Sequence, residues 1–222
     1  GPGFFFFYMA INHSMKKILK ALSFDGIEVE AARHLASLKA IDPMKIFHKT
    51  IDYKIYNGDY EVPVRIYLPR EKVTEDLPVF LFFHGGGWVT DCIDNYERIC
   101  ARLASATEHI VVSVEYRLAP EHPFPTGFMD CYAVAKAIYT NRFILNVNPQ
   151  RITLIGDSAG GNLAAAVSLK ARDDGIFKPQ RQILIYPAVN NDYSDTSRFQ
   201  SVKDCGSDYL LTAGKMRDYI DF

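Results

Sequence analysis

Ile152-Thr153-Leu154-Ile155-Gly156-Asp157-Ser158-Ala159-Gly160-Gly161-Asn162-Leu163-Ala164 is the stretch that decides the fold. Its first four residues are too few for a helix, and the run suits a strand buried on both faces of a parallel sheet. From Ala159 to about residue 172 the spacing turns helical. Ser158 stands at the junction among small residues. A serine on a sharp strand-to-helix turn needs small neighbours two before and two after, here Gly156 and Gly160, because the backbone there is strained. By composition alone Gly-x-Ser-x-Gly arises in about one chain in ten of this length. Its weight comes from its place between an apolar run and a helical pattern.

Working outward, Val79–Phe83, Ile110–Val114 and Ile183–Tyr186 are similar apolar runs, and helical patterns lie near 94–106 and 127–140. Strand-helix alternation of this kind predicts an α/β fold with a mostly parallel sheet. Residues near 47–56 and 60–68 alternate in polarity and flank Asn57-Gly58-Asp59, which reads as a hairpin. Upstream, Met15, Ile18, Leu19 and Leu22, then Val29, Ala32, Leu35, Ala36 and Leu38, recur at helical spacing. Residues 188–209 are rich in Asn, Asp and Ser and read as loop, and Leu210–Phe222 reads as a helix.

The second informative stretch is His84-Gly85-Gly86-Gly87-Trp88, directly after Val79–Phe83. Consecutive glycines let backbone N–H groups turn toward a ligand. A phosphate is disfavoured as that ligand, because no Gly-Lys-[Ser/Thr] follows. Paired with Ser158, the loop suits a serine attacking an acyl carbon while N–H groups bind the oxyanion.

Composition bounds the rest. The chain has 222 residues, 48% hydrophobic and 23% charged, enough for one domain with a real core. A net charge of −1 and a pI of about 6.7 give no basic surface for nucleic acid or acidic lipid. Cys92, Cys100, Cys131 and Cys205 match neither a zinc site nor a disulfide framework, which favours free thiols and a cytoplasmic protein. The opening Gly1-Pro2-Gly3-Phe4-Phe5-Phe6-Phe7-Tyr8 lacks a basic leader region and is too short to span a bilayer. It reads as a cloning scar or upstream read-through before Met9 or Met15, with a membrane-touching or substrate-tunnel segment as the alternative.

On these motifs the chain resembles the hormone-sensitive-lipase-like branch of the α/β-hydrolases, the bacterial family IV esterases with an HGGG motif. Tyr116–Pro125, Gly161-Asn162-Leu163-Ala164 and Tyr209-Leu210-Leu211-Thr212 agree with it, so the resemblance covers roughly residues 15–222. It implies an α/β-hydrolase fold with N-terminal cap helices. That divides the chain into a tag-like or disordered segment 1–14, cap helices 15–45 and a core 46–222. It implies Ser158 as nucleophile and an oxyanion hole from the N–H groups of Gly86, Gly87 and Ala159. His84, Gly85 and Asp157 would support the loop, and Trp88 and Val89 would border an acyl pocket. No metal or cofactor is implied. The substrate class it implies is a short- to medium-chain acyl ester.

The chain departs from that family in one respect. No histidine follows His122, whereas the family places an Asp and then a His beyond where this sequence stops. His84 shapes the glycine loop in the family, and His122 lies in a proline-rich turn. Asp192 and Asp195 could hold an acid position, but an acid without a histidine to orient does little. The expectation is therefore a C-terminally truncated esterase, lacking its last strands and helices and much impaired alone. The alternative is an inactive small-molecule-binding protein on an esterase scaffold, as the plant gibberellin receptors are. An open edge at Ile183–Tyr186 is expected to drive homo-oligomerisation or to be covered by a partner segment.

Overall fold

A computed structural model describes residues 29, 33, 49–58, 60–70, 77–207 and 211–222. The expected tag-like segment 1–14 and nearly all of the expected cap helices 15–45 lie outside the described residues. Two compact units are distinguished, Glu28–Val189 with Phe222, and Gly1–Ile27 with Asn190–Asp221.

The first unit is an α/β sandwich, a mostly parallel sheet flanked by helices. β1 (Lys49–Asn57) and β2 (Tyr60–Leu68) form an antiparallel hairpin. Four short strands follow, β3 (Val79–Phe83), β4 (Ile110–Val114), β5 (Ile152–Asp157) and β6 (Gln182–Ile185). Three helices alternate with them, α1 (Glu97–Thr107), α2 (Thr126–Tyr139) and α3 (Ala159–Asp174). The sheet order is β1-β2-β4-β3-β5-β6. β3 to β6 run parallel, and β2 meets β4 antiparallel.

Side chains alternate across a strand, so the apolar runs feed two cores. Val79, Leu81, Phe83, Val112 and Leu154 pack with Cys131, Val134 and Ile138 of α2 and Leu163, Ala164 and Val167 of α3. Phe80, Phe82, Val111 and Ile155 pack on the other face with Cys100, Ala101 and Ala104 of α1. Both faces are covered, which is why every residue of β3 and β4 is buried and all but Ser113 are apolar. Burying each such side chain stabilises the fold by about 1.5–3 kcal/mol.

Two expectations are corrected. Residues 188–209 are not loop throughout, because Gln200–Cys205 forms a short helix, α4. An Asn/Asp/Ser-rich composition hid it, since those residues compete with helical hydrogen bonds only locally. The expected strand Ile183–Tyr186 is not buried on both faces: Ile183 is 43% exposed, and Tyr186 lies outside β6 with φ 35°. Its exposure follows from its place as the outermost strand among the described residues.

The second unit, described by itself, carries α4 and α5 (Ala213–Asp221). Asp192 caps a tight turn there, its carboxylate accepting from the Ser194 N–H at 3.3 Å and hydroxyl at 2.7 Å. Those bonds hold its carboxyl below the usual range.

Cys100 and Cys131 are buried and Cys92 is half-buried, all three as free thiols. Burial pushes the Cys100 thiol up to about 12. No described helix is long and apolar enough to cross a membrane.

Candidate active site

The register of two neighbouring strands brings the two motifs together. Phe83 of β3 lies opposite Gly156 of β5, and the strands run parallel. The chain therefore leaves both at the same end of the sheet, a strand spacing of about 4.8 Å apart. His84–Trp88 emerges from one strand and Ser158 from the other. β4 ends alongside, with Val114 opposite Phe83, so the Tyr116–Pro125 segment starts there too. The carboxyl ends of an open parallel sheet are where such folds bind ligands.

Ser158 sits at the N-terminal cap of α3 with φ 53° and ψ −118°. A left-handed φ costs a non-glycine residue of order 1–3 kcal/mol, and such strain collects at functional sites. The surroundings impose it: the Ser158 N–H donates to Ile185 O at 2.9 Å, and its carbonyl accepts from Ala188 N and Asn162 N, both at 3.1 Å. The helix N-terminus behind Ser158 adds a positive electrostatic field.

The glycine loop turns through positive φ at Gly86 (111°), Gly87 (61°) and Trp88 (61°). Gly86 must be glycine on contact grounds as well, because a β-carbon there would lie 2.3 Å from Thr90 O. The Gly86 carbonyl points back into the turn and accepts from Val89 N, Thr90 N and Thr90 Oγ1. The Gly85 N–H is consumed by Asp157 Oδ1 at 3.0 Å. The N–H groups of Gly86, Gly87 and Ala159 have no hydrogen-bond partner among the described residues.

Asp157 points away from the serine, into the glycine loop. Burial raises its carboxyl, while the hydrogen bonds from Tyr96 and Gly85 oppose that rise. His84 is completely buried. Its Nδ1–H donates to Gly85 O at 2.7 Å, and its ring stacks on Tyr116 at 4.4 Å. Tyr116 in turn donates to the His84 carbonyl at 2.7 Å. Burial lowers the imidazole below its ordinary value, so it is neutral. Val89 is fully buried, whereas Trp88 is half-buried against the α2/α3 core.

The remaining described histidines lie apart from Ser158 or face solvent. His109 precedes β4 at the opposite end of the sheet, stacked on Phe80 at 4.0 Å. His122 is exposed. Among the described residues no group of three or more His, Cys, Asp or Glu could hold a metal ion.

Several supporting residues had no sequence signal. Tyr96 donates to Asp157 Oδ2 at 2.8 Å. Arg33 donates to Val89 O at 3.0 Å and pairs with Glu121 at 2.9 Å, tying residues upstream of the sheet to the loop. Asp130 is fully buried and accepts from Arg117 N, Arg117 Nε, Arg117 Nη2 and Asn57 Nδ2 at 2.8–3.0 Å. It anchors the segment whose Ala119 N–H holds the Trp88 carbonyl at 2.9 Å. Each contact spans distant sequence, so spacing gives no clue to it.

Comparison with known proteins agrees with this architecture. The family described as alpha/beta hydrolase fold matches residues 80–222. Carboxylesterase NlhH of Mycobacterium tuberculosis is 40% identical over 174 residues, 77% of this chain and 53% of that protein. An arylesterase of Saccharolobus solfataricus is 37% identical, over 78% of this chain and 55% of that protein. The hyperthermophilic esterase from the archaeon Pyrobaculum calidifontis superposes with a TM-score of 0.79 at 34% identity, covering 95% of this chain and 69% of that one. The chain thus spans about half the length of the curated relatives it matches.

Proposed function

Because this chain belongs to the alpha/beta hydrolase fold family, we propose that its site is that of a carboxylic-ester hydrolase acting on short- to medium-chain acyl esters. Ser158 Oγ attacks the ester carbonyl. The N–H groups of Gly86, Gly87 and Ala159 hold the oxyanion that develops, and water then releases the acid from an acyl-serine. The observation that carries this reading is the strained Ser158, φ 53°, beside a glycine loop placed there by the Phe83–Gly156 register. Trp88, half-buried beyond that loop, borders the acyl group.

A serine hydrolase also needs a base and an acid that orients it. His84 is enclosed and donates Nδ1–H to its neighbour's carbonyl, so it serves the loop and not the serine. The acid and base are proposed to come from sequence outside these 222 residues. Removing the base of a serine triad costs about a millionfold in turnover. These 222 residues alone are therefore expected to hydrolyse esters at background rate. The names of the relatives support the ester as substrate class.

The test is steady-state hydrolysis of p-nitrophenyl acetate, butyrate and octanoate. One protein is these 222 residues, and the other is carried on to the length of its relatives. Turnover by the longer form, lost on Ser158→Ala, is the expected result. Turnover by the 222 residues that Ser158→Ala abolishes would place the base among them and overturn that part of the reading.

A further inference from the structure

We infer that Tyr96 is a positioning residue whose hydroxyl closes a ring of three hydrogen bonds with Asp157 and Gly85, locking the glycine loop to the turn that carries Ser158. The consequence for catalysis rests on the ester-hydrolase reading above; the lock itself does not.

The ring is complete in donors and acceptors. Tyr96 Oη donates to Asp157 Oδ2 at 2.8 Å. The Gly85 N–H donates to Asp157 Oδ1 at 3.0 Å and also reaches Tyr96 Oη at 3.2 Å. Its three members come from three segments: the exit of β3, the approach to α1 and the exit of β5. A carboxylate held through one oxygen can swing about its side-chain torsion, whereas one held through both cannot. Tyr96 therefore decides whether Asp157 is a rigid strut or a loose one. Both bonds to the carboxylate are charge-assisted, which makes them stronger than neutral ones.

The tyrosine is itself immobilised. Its ring packs on Phe82 and His84, each at 5.6 Å between centroids. Its backbone N–H donates to Ile93 O at 3.2 Å, and its carbonyl accepts from Cys100 N in α1 at 2.9 Å. The segment before it is pinned twice, by Ile93 N–H on Glu115 Oε2 at 2.9 Å and by Arg65 on Asp94 at 2.6 Å. The sheet thus holds Tyr96, Tyr96 holds Asp157, and Asp157 takes up the Gly85 N–H. With that N–H occupied, Gly86 and Gly87 remain to face a ligand. Burial raises the Asp157 carboxyl above its ordinary range, and the hydrogen bonds from Tyr96 and Gly85 oppose that rise.

Hydrogen–deuterium exchange on the 222-residue protein tests the lock without any turnover. Tyr96→Phe should speed exchange of the peptide covering 84–90 by about tenfold, the loss expected for a hydrogen bond to a charged group. Peptides from β3 and β5 should be unchanged. Asp157→Asn should loosen the same peptide, and the double variant should be no looser than the worse single one. In a form that turns over esters, Tyr96→Phe should lower kcat with KM unchanged, because oxyanion donors act in the transition state. Unchanged exchange at 84–90, equal loosening of the whole protein, or additive single effects would each overturn the lock. A normal kcat in Tyr96→Phe with a loosened loop would overturn its catalytic role. No turnover in any form would instead overturn the ester-hydrolase reading, with the exchange result still deciding the lock.

Discussion

Gly160 approaches Phe83 so closely that a β-carbon on it would lie 2.0 Å from the Phe83 carbonyl oxygen. The first turn of α3 is therefore packed directly on the last residue of β3. This contact sets how near Ser158 stands to the glycine loop. Gly160→Ala must push helix and strand apart, because the atoms its β-carbon meets are backbone carbonyls that cannot swing away as a flexible side chain could. The expected cost is about 1–3 kcal/mol, the usual range for overpacking. It is read from urea unfolding, and a loss under about 0.5 kcal/mol would show that the junction yields freely.

Asp130 is the buried charge on which the opposite flank of the site depends. It receives Arg117 through both backbone and side chain, together with Asn57. Truncating Asp130 removes its hydrogen bonds to Arg117 and Asn57, while Arg117 keeps its contact with the Tyr60 ring at 4.0 Å and part of its solvent exposure, so the cost is about 1.5–3 kcal/mol. Asp130→Ala is expected to fall in that range by chemical denaturation. The leucine variant Asp130→Leu should do no better, since it loses the same hydrogen bonds to Arg117 and Asn57.

His84 sets a pH dependence of known sign. Burial lowers its pKa in the folded state, so the unfolded chain takes up the proton first. Its contribution to stability is full above the ordinary histidine value of about 6.5 and is lost as pH falls below it. The stability gap between the native protein and His84→Gln should therefore shrink between about pH 7.5 and about pH 5.5. Asp157 and Glu115, raised by burial, act in the opposite direction but are common to both proteins. A gap independent of pH would mean that His84 is not held neutral.

Association should be visible in these 222 residues on their own. β6 pairs with β5 on one side and with no other described strand. Ile183 within it is 43% exposed, and Tyr186 just after it 74%. Unpaired, apolar edges template further pairing. Concentration-dependent self-association by light scattering is expected, and it should weaken in Ile183→Lys, which puts a charge at the edge. A strictly monomeric species at high concentration would contradict this.

The sheet was legible in the sequence because β3, β4 and β5 begin as mostly apolar runs, as strands buried on both faces require. The turn carrying Ser158 was legible because strained backbone demands Gly156 and Gly160. α4 was not, since a six-residue helix offers too little periodicity to outweigh an Asn/Asp/Ser-rich composition. The supports of the site were also invisible. Tyr96 and Asp157 are 61 positions apart and meet only when β3 and β5 lie side by side. Arg33 and Val89, 56 apart, belong to the same class. Spacing rules report what is local; these contacts depend on sheet order.

The central claim is that Ser158 is an acyl-attacking nucleophile facing free backbone N–H groups. Mass spectrometry after treatment with an alkyl fluorophosphonate tests it most directly, on the protein carried to the length of its relatives. Ser158 Oγ displaces fluoride, which puts a tetrahedral phosphorus where the ester carbon would stand and its phosphoryl oxygen where the oxyanion forms. The expected result is one adduct, located on the peptide containing Ser158, absent in Ser158→Ala and greatly slowed in Gly86→Ala. An adduct on another residue, or none on a folded protein that hydrolyses esters, would contradict the claim.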